Sequence, residues 1–137
     1  MNPFLLKSLR KLARSVARLV EDFPMEDERG LALRLLGAVG SIPTSLSRSA
    51  RSATSTERRM HVGAAHGSAA EAGYLVGLAQ EMGYGRPEQA FSAAGRLDTV
   101  LSQLRRENKK SLAEARRSPT AQVGAQVSAP LPPGTGK

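Results

Sequence analysis

Leu5, Leu9, Leu12, Val16, Leu19 and Phe23 recur at spacings of 4, 3, 4, 3 and 4. That alternation keeps one stripe of an α-helix apolar and fits no strand, whose side chains repeat every second residue. Leu6, Ala13 and Val20 form a second line beside the first, which predicts a broad buried face of the kind a helical bundle uses. "DFP" at 22–24 closes the segment, because a residue preceding proline avoids the helical region. The first helix is therefore expected over 4–22.

A second helix is expected over 26–49. It starts in "MEDERG", where acidic side chains suit the positive end of a helix dipole. Its apolar line is Leu31, Leu35, Ala38 and Ile42, and it resumes at Leu46 beyond Pro43. Proline inside a helix costs about 3 kcal/mol. The surviving periodicity predicts a kink near Val39–Pro43 with the helix running on to about Arg48. The alternative is a helix that stops at Ile42. Thr54 and Glu57 fit a capping box and open a third helix, 55–82, with small inward positions at Ala64, Ala65, Gly67, Ser68 and Ala72. "GYGRP" at 83–87 is a turn, with proline at the first position of a fourth helix over 87–117. That helix carries Phe91, Ala94, Leu97, Leu101, Leu104 and Leu112. Residues 119–137 lack periodicity and are rich in Pro, Gly and Ala, which reads as a disordered tail.

Four helices with short connections make an all-α, antiparallel up-down-up-down four-helix bundle, one domain over 1–118. The composition agrees, since only 4% of residues are aromatic and sheets favour aromatic and β-branched side chains. Cysteine is absent, which removes disulfides, thiolate metal sites and cysteine nucleophiles. A reducing, cytoplasmic setting is expected, with neither a secretory signal nor a membrane span.

The formal net charge is +8, which points to a polyanionic partner. Alternating helix directions would gather the charge at one end. Lys7, Arg10 and Lys11 come from the first helix, Arg48 and Arg51 from the end of the second. Arg58 and Arg59 open the third, and Arg105, Arg106, Lys109, Lys110, Arg116 and Arg117 close the fourth. Against them stand Glu57, Glu107 and Glu114. Arg14 and Arg18 extend the stripe along the first helix. The other end would collect Glu21, Asp22, Glu26, Asp27, Glu28, Glu81 and Glu88, with Arg29 and Arg86. The stretch "GSIPTSLSRSARSATSTERR", 40–59, lies at the corner within the basic end.

"FPMEDERGLALRLLGAVGSIPTSL" at 23–46 resembles the pattern F-P-x-x-E-x-x-G-L-x-x-Q-x-x-R-A-x-x-S-I-P-x-N-I-A-E-G. It belongs to bacterial four-helix-bundle proteins first noticed in intervening sequences of 23S rRNA genes. Glu57 and "AAHGSAAEAGYLVGLAQEMGY" at 64–84 continue the likeness, which spans about 4–112 and extends to accessory proteins of diversity-generating retroelements. The resemblance implies a cyclic homopentamer of bundles, RNA or DNA binding through a basic surface, and no catalysis. This chain departs from it at Ser45, Arg48 and Ser49, where the family shows asparagine, glutamate and glycine. Pro43 and Gly67 are retained and read as architecture.

Little points to chemistry. His61 and His66 lie about 140° apart on a helix of 3.6 residues per turn, so no metal or other cofactor is expected. Glu71 falls near the inward face, where a lone carboxylate is costly. An ion pair with Arg34, at similar depth, is preferred to a catalytic role. "GTGK" at 134–137 lacks the strand and helix of a phosphate loop. The reading is a non-enzymatic oligomer that binds RNA or DNA and takes no small-molecule substrate. The alternatives are a scaffold for another protein and an anionic-membrane binder acting through the first helix.

Overall fold

The computed structural model describes residues 1–27 and 29–117. The tail expected at 119–137 and the acidic position Glu28 lie outside them. Four α-helices follow one another: α1 (Pro3–Glu21), α2 (Leu31–Ala50), α3 (Ser55–Glu81) and α4 (Pro87–Arg117). One hydrophobic core runs between them. α3 packs against both α2 and α4, and α1 closes the arrangement against α4 and, less extensively, α2. Among the described residues, no helix is long and apolar enough to cross a membrane.

Asn2 caps α1, its Oδ1 accepting from the Phe4 N–H at 2.9 Å, and proline stands at the first position. Leu5, Leu9, Leu12, Val16 and Leu19 are buried as the spacing predicts. The second line is so only in part: Val20 is half-buried against the core and Leu6 is half-buried, whereas Ala13 is exposed. The fully buried apolar face of α1 is a single seam, with Ser15 buried beside it.

α2 begins five residues later than expected. Gly30 adopts φ 61°, a left-handed conformation that L-residues avoid and that a helix interior cannot contain. No acidic residue occupies the first turn. Asp27 acts from outside instead, its Oδ2 accepting from the Ala32 N–H at 2.9 Å. The helix then passes Pro43 without a break and ends at Ala50, so the alternative of a stop at Ile42 is excluded. Hydroxyls on both sides of the proline bond back to carbonyls one turn earlier: Ser41 to Gly37 at 2.9 Å and Thr44 to Gly40 at 3.1 Å.

α3 buries Val62, Ala65, Ala69, Ala72, Leu75, Val76 and Ala79. Its phase corrects several expectations. Ala64 and Gly67 are exposed, and so is Glu71, because it precedes buried Ala72 by one residue, about 100° around the helix. Arg34 is exposed as well. The expected Arg34–Glu71 ion pair does not form, and neither charge is desolvated enough to need it. α4 is turned the other way, so that the residues expected inward at Phe91, Ala94 and Leu101 each follow a buried one. Ala90, Ala93, Leu97, Val100 and Leu104 are buried, whereas Phe91 is 78% exposed.

The end opposite the α2–α3 corner is closed tightly. Phe23 meets Tyr84 edge to face, with ring centroids 5.5 Å apart, and Arg86 pairs with Asp22 at 3.2 Å. Gly85 lies between them at φ 76°, where a Cβ would stand 2.6 Å from Leu19 Cδ1 and 3.1 Å from the Leu19 carbonyl oxygen. Gly85→Ala is expected to destabilise by at least about 1–2 kcal/mol from the left-handed conformation alone. Pro43→Ala restores an N–H to the helix ladder and is expected to be neutral or to stabilise by up to about 3 kcal/mol. Chemical denaturation should show a lowered midpoint for Gly85→Ala and an unchanged or raised one for Pro43→Ala.

Candidate nucleic-acid interface

The serine- and arginine-rich corner between α2 and α3 is tied by side chains. The Ser52 hydroxyl donates to the Arg48 carbonyl at 2.8 Å, and Ser49, itself buried, donates to the Arg58 carbonyl at 3.2 Å. Thr54 caps α3, its Oγ1 accepting from the Glu57 N–H at 3.1 Å. Arg58 turns back over the corner, with Nη1 on the Ser52 carbonyl at 3.3 Å and Nη2 on Ser55 Oγ at 3.0 Å. Short hydroxyl side chains suit this role because they reach neighbouring backbone groups that a turn leaves unpaired.

This bonding divides the predicted site. Arg48, Arg51 and Arg59 are exposed, whereas Arg58 is half-buried and commits its guanidinium to the corner. Sequence spacing could not separate Arg58 from Arg59; the signal is that Arg58 shares a face with Ser55 one turn earlier. On α1, Lys7, Arg10, Lys11 and Arg14 are exposed and, with Pro3 and Leu6, line one shallow cleft. On α4, Arg105, Arg106, Lys109 and Lys110 are exposed.

The start of α1, the end of α2, the start of α3 and the C-terminal part of α4 surround one cavity of about 390 Å³. Asn2, Leu5, Leu46, Arg58, Val62 and Lys110 are among its walls. The predicted basic residues of α1, the corner and α4 therefore stand around one end of the molecule. Among the described residues, the ion pairs are Arg86–Asp22 at 3.2 Å and Arg86–Glu88 at 3.7 Å. Among the described residues, none of the twelve lysines and arginines just named on α1, at the corner and on α4 has a carboxylate partner. Glu107 and Glu114 line the same cavity and leave most of the positive charge unbalanced. No group of three or more His, Asp or Glu side chains that could hold a metal occurs among the described residues.

These features define a class: an all-α four-helix protein with an exposed cationic end. The chain belongs to the 23S rRNA-intervening sequence protein family, whose model matches residues 5–106. The match runs from α1 into α4 and stops short of Lys109 and Lys110. No curated protein matches the chain.

The division at the corner is testable. Arg58→Ala removes a charged donor from two hydrogen bonds and is expected to cost about 1–3 kcal/mol. Arg59→Ala, at an exposed position, is expected to stay within about 0.5 kcal/mol of the parent. Thermal melts monitored by circular dichroism distinguish them.

Proposed function

We propose that the protein is a non-enzymatic, oligomeric bundle of alternating helices whose basic end binds RNA or DNA with little sequence preference. The observation that carries this reading is the set of exposed cations Lys7, Arg10, Lys11 and Arg14 on α1, Arg48, Arg51 and Arg59 at the α2–α3 corner, and Arg105, Arg106, Lys109 and Lys110 on α4, which have no carboxylate partner among the described residues. Like charges held together repel, and a polyanion relieves that repulsion. Phosphate contacts position a protein on nucleic acid without reading bases. With tyrosine and phenylalanine scarce, stacking contributes little here.

Self-association has its own support. Met60, Gly67 and Tyr74 lie seven residues apart on the outer side of α3, with Met60 62% and Tyr74 67% exposed. Leu33, Leu36, Gly37 and Gly40 are exposed on α2. Glycine in a helix interior costs about 1 kcal/mol relative to alanine. A Cβ at Gly37, Gly40 or Gly67 would meet nothing within 4 Å, so packing inside one chain does not require them. A second copy lying close against α2 and α3 does. A closed ring of five copies is the assembly that the family resemblance implies.

Two measurements test the reading. Affinity for single- or double-stranded oligonucleotides is expected to fall about 10³–10⁵-fold between 50 and 200 mM salt, for a surface that engages roughly 6–10 phosphates. Converting Arg48, Arg51 and Arg59 together to glutamate is expected to abolish binding with helicity unchanged. Arg58 is left in place because it holds the corner. A parent protein that fails to bind at low salt removes the nucleic-acid reading and leaves the scaffold reading. For assembly, Met60→Glu combined with Tyr74→Glu is expected to yield helical monomers by light scattering. A parent already monomeric at micromolar concentration refutes the oligomer.

A further inference from the structure

A second, smaller cleft lies on the flank between α3 and α4, separate from the end cavity. Gly63 and His66 line it from α3, and Arg105, Asn108 and Lys109 from α4. The spacing explains the arrangement. Positions 105, 108 and 109 share one face of a helix, as do 63 and 66. Gly63 contributes no side chain, and that opens the space His66 borders. His66 is half-buried, while Arg105, Asn108 and Lys109 are exposed.

Every described side chain lining this cleft can donate a hydrogen bond, and no carboxylate lines it among the described residues. Among the described residues, neither Arg105 nor Lys109 takes part in an ion pair. The cleft holds about 250 Å³. Sites for drug-sized ligands run roughly 300–1,000 Å³, so this one lies below that range and has room for a small anion.

We propose that the α3–α4 cleft is a seat for one phosphate group, held by Arg105, Lys109, Asn108 and His66. Arg105 supplies a planar fork that can grip two oxygens, and Lys109 supplies a point charge. Asn108 and His66 supply directed N–H donors at the sides. The carrier of the phosphate is taken to be a nucleic-acid strand, and in that respect the inference rests on the proposed function. The chemistry is shared by a free phosphate compound, and the experiment separates the two. A strand anchored at the α2–α3 corner and seated here would run along α3, past exposed Arg59.

The test uses the full chain, freed of nucleic acid by nuclease and high salt. Inorganic phosphate is titrated against sodium chloride of matched ionic strength, and the ring C–H signals of the two histidines are followed by NMR. Saturable shifts at His66 with His61 unmoved are the expected result. Arg105→Ala with Lys109→Ala is expected to weaken phosphate binding by about ten-fold or more, whereas Arg48→Ala with Arg51→Ala leaves it intact. Absence of a phosphate-specific shift at His66, or equal shifts at both histidines, overturns the seat. An oligonucleotide that binds the parent while the Arg105–Lys109 variant retains full affinity and an unchanged salt slope refutes the seat as a strand contact. The nucleic-acid reading then stands on the corner alone. Phosphate binding in a protein that binds no oligonucleotide at low salt upholds the seat, assigns it to a free phosphate compound and removes the nucleic-acid reading.

Discussion

The inner face of α3 sets the dimensions of the molecule. Ala65, Ala69, Ala72 and Ala79 are fully buried there, and an alanine line lets neighbouring helices come close. Alanine itself adds little hydrophobic free energy. Burying a leucine or isoleucine contributes about 1.5–3 kcal/mol, and apart from Leu75 on α3 those residues come from elsewhere: Leu5, Leu12 and Leu19 on α1, Leu31, Leu35 and Ile42 on α2, and Leu97 and Leu104 on α4. α3 is thus a narrow spine around which larger side chains are arranged. α1, with one apolar seam, fits the remaining gap and leans more on α4 than on α2.

Periodicity made the seams of α1 and α2 legible, and local chemistry marked the starts of α3 at Thr54 and α4 at Pro87. The errors share a cause. On α3 and α4 small or apolar residues occur on several sides, so the pattern does not fix the rotational phase. Gly67 and Glu71 looked inward beside Ala72, and Phe91 looked inward because it is large and apolar. Neighbouring helices settle the phase, and a single helix does not display them. The late start of α2 is a different matter. "MEDERG" contains good helix-start residues, yet Gly30 is left-handed and Asp27 caps from outside the helix. Glycine before an apolar run carried that signal, and the acidic residues outweighed it. For the site, the charges were visible in sequence. The division between Arg58 and Arg59 was not, because it depends on which guanidinium finds Ser52 and Ser55.

The two ends of the molecule treat charge in opposite ways. At the closed end, Asp22 and Glu88 share Arg86, and the aromatic contact of Phe23 with Tyr84 packs beside them. At the other end Arg58 is tied into the corner, and exposed cations of α1, the corner and α4 stand around an open cavity. Their mutual repulsion opposes folding, and at about 0.15 M salt it reaches only some 8 Å. A core of the size described here can tolerate that. Stability alone would favour interspersed acids, such as the glutamate the family pattern places where this chain has Arg48. Keeping that end unbalanced makes sense if an anion supplies the missing charge.

α3 then carries three surfaces at once. The alanine line faces the core, Met60, Gly67 and Tyr74 face outward, and Gly63 with His66 flanks α4. A helix with one apolar face would have a strongly polar opposite side. The opposite side of α3 instead holds glycines, alanines, a methionine and a tyrosine with few charges between them. Such a surface suits cover by a second copy, and the proposed ring contact would then use the same physical device as the core contact, close approach over small residues. The phosphate seat occupies the margin between them, where Gly63 leaves room and α4 brings its cations. Assembly through the outer seam would place copies of the seat at regular intervals around a ring, each separated from the next by one bundle. A long polyanion could then engage several seats at once, and the linked contacts would raise its avidity without any single cleft binding tightly.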